Sequence, residues 1–193
     1  MKGRALAGAS EIFERVENDF YATQPESLEK FLNLFDLTNC KNFYEPCCGM
    51  GHLSEVLKKT YTNSRVYSSD LINRGYGKGG IDFLKTKYKV RFDCILTNPP
   101  FKIAKEFIEK SLQITDKYVI MFLKIQFLES KDRKEFLENT PLKYVYVFSE
   151  RQQPMRNGES INPTTGKKWC STMCFAWFIW EVGYVGEPSI RWI

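Results

Sequence analysis

The sequence predicts an α/β protein built on an open, mostly parallel sheet with helices on both faces. Three observations carry that expectation. Short apolar stretches rich in β-branched and aromatic residues alternate with stretches whose apolar residues recur at helical spacing. The apolar stretches stop abruptly at Glu45-Pro46, at Asp70 and at Asn98-Pro99-Pro100. The 193 residues suit one domain of ordinary size, so 1–193 is expected to form a single unit with 1–40 as an N-terminal helical segment.

Taken in order, Ser10–Asn18 places Ile12, Phe13 and Val16 at helical spacing. Thr23 followed by Glu26 reads as a capping box with Pro25 in the first helical turn. That helix is expected to reach about Phe35, with Leu28, Phe31, Leu32 and Phe35 on one face. Asn42–Glu45 reads as a short buried strand that runs into Pro46-Cys47-Cys48-Gly49-Met50-Gly51 and then a helix carrying Leu53, Val56 and Leu57. Arg65–Ser69 is a second strand, ending at Asp70 and followed by a glycine-rich loop over Ile72–Gly80. Phe92–Thr97 is a third, and the helix after it carries Ile103, Phe107, Ile108 and Leu112. Strand Tyr118–Leu123, helix Ser130–Asn139 and strands Leu142–Phe148 and Phe175–Trp180 complete the pattern. Between the last two strands, Ser149–Trp169 is polar and broken by Pro154, Gly158, Pro163 and Gly166, a long hairpin connection of the kind that carries function or lacks structure.

Composition narrows the chemistry. Apolar residues make up 43% and aromatic residues 15%, which excludes long-range disorder as the main state. A net charge of +5 permits a polyanionic partner without requiring one. The six cysteines form no C-x-x-C pair and His52 is the single histidine, which argues against a structural zinc site and against a histidine-based triad. No apolar run approaches the roughly 18 residues that span a bilayer, and Met1–Asn18 has no secretory apolar core. A reducing cytoplasm with free thiols is the expected setting.

In an open sheet, ligands bind beyond the carboxyl ends of the strands, where the chemistry-bearing residues of this chain fall. Gly49 and Gly51 allow a sharp turn and close backbone approach, and the following helix start adds N–H donors. A dinucleotide site would want glycine at position 54, where Ser54 stands. Glu45, directly before the loop, repels a diphosphate and suits a cationic ligand end, such as the ammonium and sulfonium of S-adenosylmethionine (SAM). Asp70 can accept from both hydroxyls of a ribose; capping a loop is its plainer use. Asp82-Phe83 offers a carboxylate to an adenine amino group and an aromatic ring to its face; a solvated Asp beside a core Phe is the plainer reading. Asn98-Pro99-Pro100-Phe101 carries the sharpest signal. Two prolines fix the backbone and remove two N–H donors, so the Pro99 carbonyl and the Asn98 amide oxygen can both accept from one exocyclic NH₂ while Phe101 stacks on a flat base. A plain strand-to-helix turn is the alternative.

These segments resemble the SAM-dependent N6-adenine DNA methyltransferases of the small phage or prophage type. The resemblance rests on Tyr21-Ala22-Thr23-Gln24-Pro25, the Glu45–Gly51 loop, Asp70, Asp82-Phe83 and Asn98-Pro99-Pro100-Phe101, in the family's order over roughly 20–101. It implies a Rossmann-like methyltransferase fold with a seven-stranded, mostly parallel sheet and a C-terminal antiparallel hairpin. It also implies SAM as cofactor, held by Glu45, Pro46, Gly49 and Gly51 at its methionine part, Asp70 at the ribose and Asp82 and Phe83 at the adenine, with Tyr21, Thr23 and Pro25 along the pocket. Asn98, Pro99, Pro100 and Phe101 would hold a target adenine, flipped out of a duplex. Cys47 and Cys48 depart from the small residues the family uses there, and Gln24 separates Thr23 from Pro25.

No segment of 1–193 is long enough for a separate target-recognition domain, so target choice is expected from the pocket, from a partner, or from 149–169, where Arg151, Arg156, Lys167 and Lys168 could meet phosphates. A solvated loop is the plainer reading. DNA is the expected substrate. The same acceptor pair also serves RNA bases or a protein glutamine amide. A silent SAM-binding accessory subunit and a dinucleotide enzyme complete the alternatives.

Overall fold

A computed structural model describes residues 21–153, 155–156, 160–161, 165–166 and 173–193. The helix expected at Ser10–Asn18 lies outside them, as do Lys167, Lys168 and Trp169. Among the described residues, nine strands and four α-helices follow in the order β1 (Tyr21–Ala22), α1 (Pro25–Leu32), β2 (Asn42–Glu45), α2 (His52–Thr60), β3 (Arg65–Ser68), β4 (Phe92–Thr97), α3 (Ala104–Ile114), β5 (Thr115–Lys124), α4 (Lys131–Glu138), β6 (Leu142–Val147), β7 (Met155–Arg156), β8 (Phe175–Glu181) and β9 (Ser189–Trp192).

Seven strands form the sheet, in the order β3-β2-β4-β5-β8-β6-β9. β3, β2, β4 and β5 pair in parallel; β8 runs antiparallel between β5 and β6; β9 lies parallel to β6 at the edge. This is the Rossmann-like methyltransferase sheet that the sequence led us to expect, with one strand of its seven unforeseen. Ser189–Trp192 is exposed at all four residues, so β9 has no inward-outward alternation to betray it.

The two faces are covered by different helices. Leu28 and Phe31 of α1 and Leu53, Val56 and Leu57 of α2 pack with Phe43, Leu96, Ile120 and Trp177 on one side. Ala104, Phe107 and Ile108 of α3 and Phe136 of α4 pack with Ile95, Val119, Met121 and Phe178 on the other. The central strands β4, β5 and β8 are therefore buried on both faces and read as continuous apolar runs.

The start of α1 corrects the expected capping box. The N-cap is Gln24, and no side chain caps the helix. Proline favours the first helical position, so Pro25 fixes the cap one residue later than Thr23. α1 also stops at Leu32 rather than near Phe35.

Part of the polar 149–169 stretch is built into the protein. Met155–Arg156 forms β7 against Tyr21–Ala22, pairing Ala22 with Met155 and Tyr21 with Arg156. Gln152 is buried, accepting from the Ser27 hydroxyl of α1, and Lys30 pairs with Glu150 at 3.1 Å. The N-terminal strand is thus clasped beside the mouth of the sheet.

Candidate functional site

The chain turns from β2 to β3 on one side and crosses to β4 on the other, so a crevice opens between the carboxyl ends of β2 and β4, the place where open α/β sheets bind ligands. A cavity of about 230 Å³ lies there. Thr23, Glu45, Pro46, Gly49, Asp70, Asp82, Phe83, Asn98, Pro99, Pro100 and Phe101 all line it, though they come from five separate stretches of chain. Pro25 and Gly51 do not line it. Pro25 opens α1, and Gly51 acts through the backbone. Arg151 is exposed on the 149–156 clasp.

The glycine loop is held from both sides. Gly51 caps α2 in the left-handed region, φ +89°, and a Cβ there would come within 2.5 Å of the Tyr76 ring. Tyr76 is fixed in turn by donating to Glu55 at 2.6 Å and accepting from Lys58 at 2.7 Å. Asp70 ties the other end: its Oδ2 accepts from the Gly49 N–H at 2.8 Å and its Oδ1 from the Ile72 N–H at 2.9 Å, with the Arg74 guanidinium 3.6 Å away. The carboxylate keeps further lone pairs for hydroxyl donors.

Glu45 is 2% exposed. Ser54 of α2 donates to its Oε2 and shares a 2.6 Å hydrogen bond with Ser68. Burial first, and the nearby Asp70 charge after it, push the Glu45 carboxyl up to about 8. The residue that stands where a dinucleotide glycine would be is the partner of the motif's own acid. A small polar residue on the buried face of α2 was the signal for it.

Burial pushes the Cys47 thiol well up and Cys48 up to about 12, with the Glu45 and Asp70 charges adding to both. Both shifts favour the neutral thiol over the thiolate that a nucleophilic cysteine requires. His52 lines the cavity, and burial pulls its pKa down.

Asn98 follows β4 with its amide oriented by Thr23, whose hydroxyl accepts from Nδ2 at 3.0 Å. Thr23 is 6% exposed. The clasp of β1 on β7 therefore reaches the asparagine through one side chain. Pro100 keeps an extended ψ of 120°, and a short 3₁₀ turn, Phe101–Ile103, leads into α3. Asp82 accepts from the Leu84 N–H at 3.1 Å and pairs with Lys85 at 3.2 Å, while Phe83 stacks on Phe107 at 4.9 Å and is 2% exposed. Phe83 is a core residue that meets the cavity at its edge.

Sequence reasoning missed Ser54, Arg74, Tyr76 and Lys124, whose ammonium lies 4.8 Å over the Phe101 ring. Arg74 and Tyr76 sit in the glycine-rich loop, where no periodicity marks an inward side chain.

No protein-family model matches this chain, and no curated protein matches it in sequence. Solved structures do match. A protein assigned as the modification subunit of a type I restriction enzyme from Vibrio vulnificus superposes with a TM-score of 0.60 at 14% identity, over 90% of this chain and 47% of that one. A dimethyladenosine transferase from Plasmodium falciparum gives 0.54 at 16%, over 83% and 62%. Magnesium protoporphyrin IX methyltransferase from Synechocystis with bound SAM gives 0.52 at 14%, over 81% and 77%. The chain spans about half of the Vibrio protein and three-fifths of the Plasmodium one. At these identities the likeness establishes the SAM-methyltransferase fold.

Proposed function

We propose that this protein moves the methyl group of SAM to the exocyclic N6 amino group of adenine in DNA. One observation carries the reading. β4 delivers Asn98-Pro99-Pro100-Phe101 into the same cavity that holds the Glu45–Gly49 loop, Asp70 and Asp82, with the Asn98 amide already set by Thr23.

The residues present fit SAM. Asp70 offers acceptors for vicinal hydroxyls, Asp82 for an adenine amine, and Glu45 and the turn at Gly49 suit a zwitterionic methionine end. Leu53, Leu71, Ile72 and Ile81 supply apolar walls. The cofactor brings an electrophilic methyl group. The chain supplies position: the Asn98 amide oxygen and the Pro99 carbonyl accept the two amine hydrogens, fixing the nitrogen and leaving its lone pair for attack, and Phe101 offers a face to the base. No thiolate or histidine base is called on, which matches the upward shift of the Cys47 and Cys48 thiols and the downward shift of the half-buried His52. The names of the Vibrio and Plasmodium proteins, a restriction-enzyme modification subunit and a dimethyladenosine transferase, support a nucleic-acid amine as target.

The test is incubation with labelled SAM and mixed-sequence DNA, RNA and protein in parallel, followed by nucleoside analysis. N6-methyladenine in DNA is expected. Asn98→Ala is expected to lower transfer by about 100-fold or more while SAM affinity stays within about twofold. Label in RNA or protein alone would sink the DNA reading, and SAM binding without transfer to any polymer would favour an accessory subunit.

A further inference from the structure

Behind the cavity lining, against Phe101, stands a cation that methyl transfer does not use. β5 pairs Met121 with Thr97 and runs on to Lys124, so Lys124 stands level with the residues after Thr97, at the end of the neighbouring strand. Across the other edge of β5, Lys124 pairs with Phe175, whose ring lies 6.1 Å from Phe101. The Lys124 ammonium sits 4.8 Å from the centroid of the Phe101 ring. It is half-buried, and no carboxylate among the described residues comes within 4.0 Å of it. Of the other cations over rings near α3 and α4, Lys105, over Phe136, also pairs with Glu109, and Arg133, over Phe127, also donates to the Gln126 carbonyl; Lys110, over Tyr88, resembles Lys124, but neither it nor its ring borders the cavity, whereas Phe101 does.

We propose that Lys124 is the phosphate anchor of the substrate site: from its place over Phe101, its ammonium binds the DNA backbone phosphate of the nucleotide whose base enters against that ring. The inference rests on the nucleic-acid reading above. A partly desolvated ammonium on an aromatic face is held by a weak attraction, and a charge-assisted bond to phosphate is stronger. A lysine stem is long and flexible enough to exchange one for the other. A phosphate contact is made equally in the bound complex and in the transition state, so it strengthens DNA binding and leaves the transfer step unchanged. Lys124 is thus a substrate-binding residue that senses the backbone and carries no sequence preference.

The test uses the full chain, SAM, and a DNA oligonucleotide that the wild type methylates. Lys124→Gln is expected to raise KM for DNA about tenfold with kcat within about twofold, and to flatten the dependence of log kcat/KM on log salt by about one unit, the value for one lost phosphate contact. Lys124→Arg is expected to restore both. SAM affinity and melting temperature should match the wild type in each variant. An unchanged KM and salt slope in Lys124→Gln overturns the anchor and leaves the proposed activity standing. Equal losses of SAM binding and melting temperature in both variants make Lys124 a packing residue and overturn it too. Wild type that methylates no nucleic acid overturns the anchor together with the activity beneath it.

Discussion

The most consequential single residue is Glu45, because its environment sets both a stability and a binding expectation. Its carboxyl is pushed up to about 8, against an ordinary 4.5. Between those values the folded protein holds a proton that the unfolded chain gives up. Stability from this group is therefore fully present below about pH 4.5 and is lost as pH rises toward 8. Glu45→Gln cannot ionise. Its melting temperature is expected to exceed wild type most at pH 8 and above, with the gain fading toward pH 5. Calorimetry from pH 5 to 9 checks this, at about 2–4 °C per kcal/mol for a chain of this size. The same variant should weaken SAM binding, since a cationic ligand end stabilises the ionised carboxylate and an amide cannot follow. Thr23→Val makes a second residue-scale expectation. It removes the acceptor that orients the Asn98 amide, so kcat should fall by about 10-fold or more with SAM affinity unchanged. The place of Asn98 at the mouth of the sheet was legible from Asn-Pro-Pro-Phe alone. The hydrogen bond from Asn98 to Thr23 was not, because it joins side chains 75 residues apart; the sequence offered Thr23 only as a helix cap and as a pocket residue.

At the scale of elements, Ser130 shows where the chain is under strain. It precedes α4 at φ 104° and ψ 152°, a region that favours glycine, and it is the one non-glycine residue with positive φ among those described. Its hydroxyl accepts from the Arg133 N–H at 3.4 Å, a long contact for a cap. Ser130→Gly is expected to stabilise the protein by about 1 kcal/mol, read as a rise in denaturation midpoint at constant slope, because glycine loses only a few tenths as a cap. The sequence marked β2, β4, α3 and β8 clearly, since each buries a continuous or periodic apolar face. It did not mark β1, β7 or β9. Two-residue strands offer no period, and β9 is wholly exposed. The basic loop expected over 149–169 fared differently: Gln152 and Met155 are buried, because backbone pairing with Tyr21–Ala22 and the Ser27–Gln152 hydrogen bond draw that end of it onto the protein.

For the molecule as a whole, the cavity is assembled from chain segments that meet only in the folded sheet. A ligand that bridges them must therefore stabilise the fold. SAM at about 100 times its Kd is expected to add about 2.7 kcal/mol to unfolding, and NAD at the same concentration nothing, as thermal shift would show. The architecture could be read from alternation and from the position of motifs at strand ends, because both follow from the parallel sheet. What lay beyond reach were contacts between distant loops, such as Tyr76 on Gly51 or Lys124 on Phe101, which no local rule encodes.

The placement of β8 has a kinetic consequence. This strand lies between β5 and β6, yet it is made more than 25 residues after β6 ends (175 − 147 = 28). Until Phe175–Glu181 arrives, two long apolar strand edges stand open at the centre of the sheet, so closure waits on a distant pairing and a growing chain is exposed to edge-to-edge association. Trp177 and Trp180 are fully buried only when it inserts. Their fluorescence should therefore change in the slowest refolding phase, and chains stopped before Phe175 should aggregate.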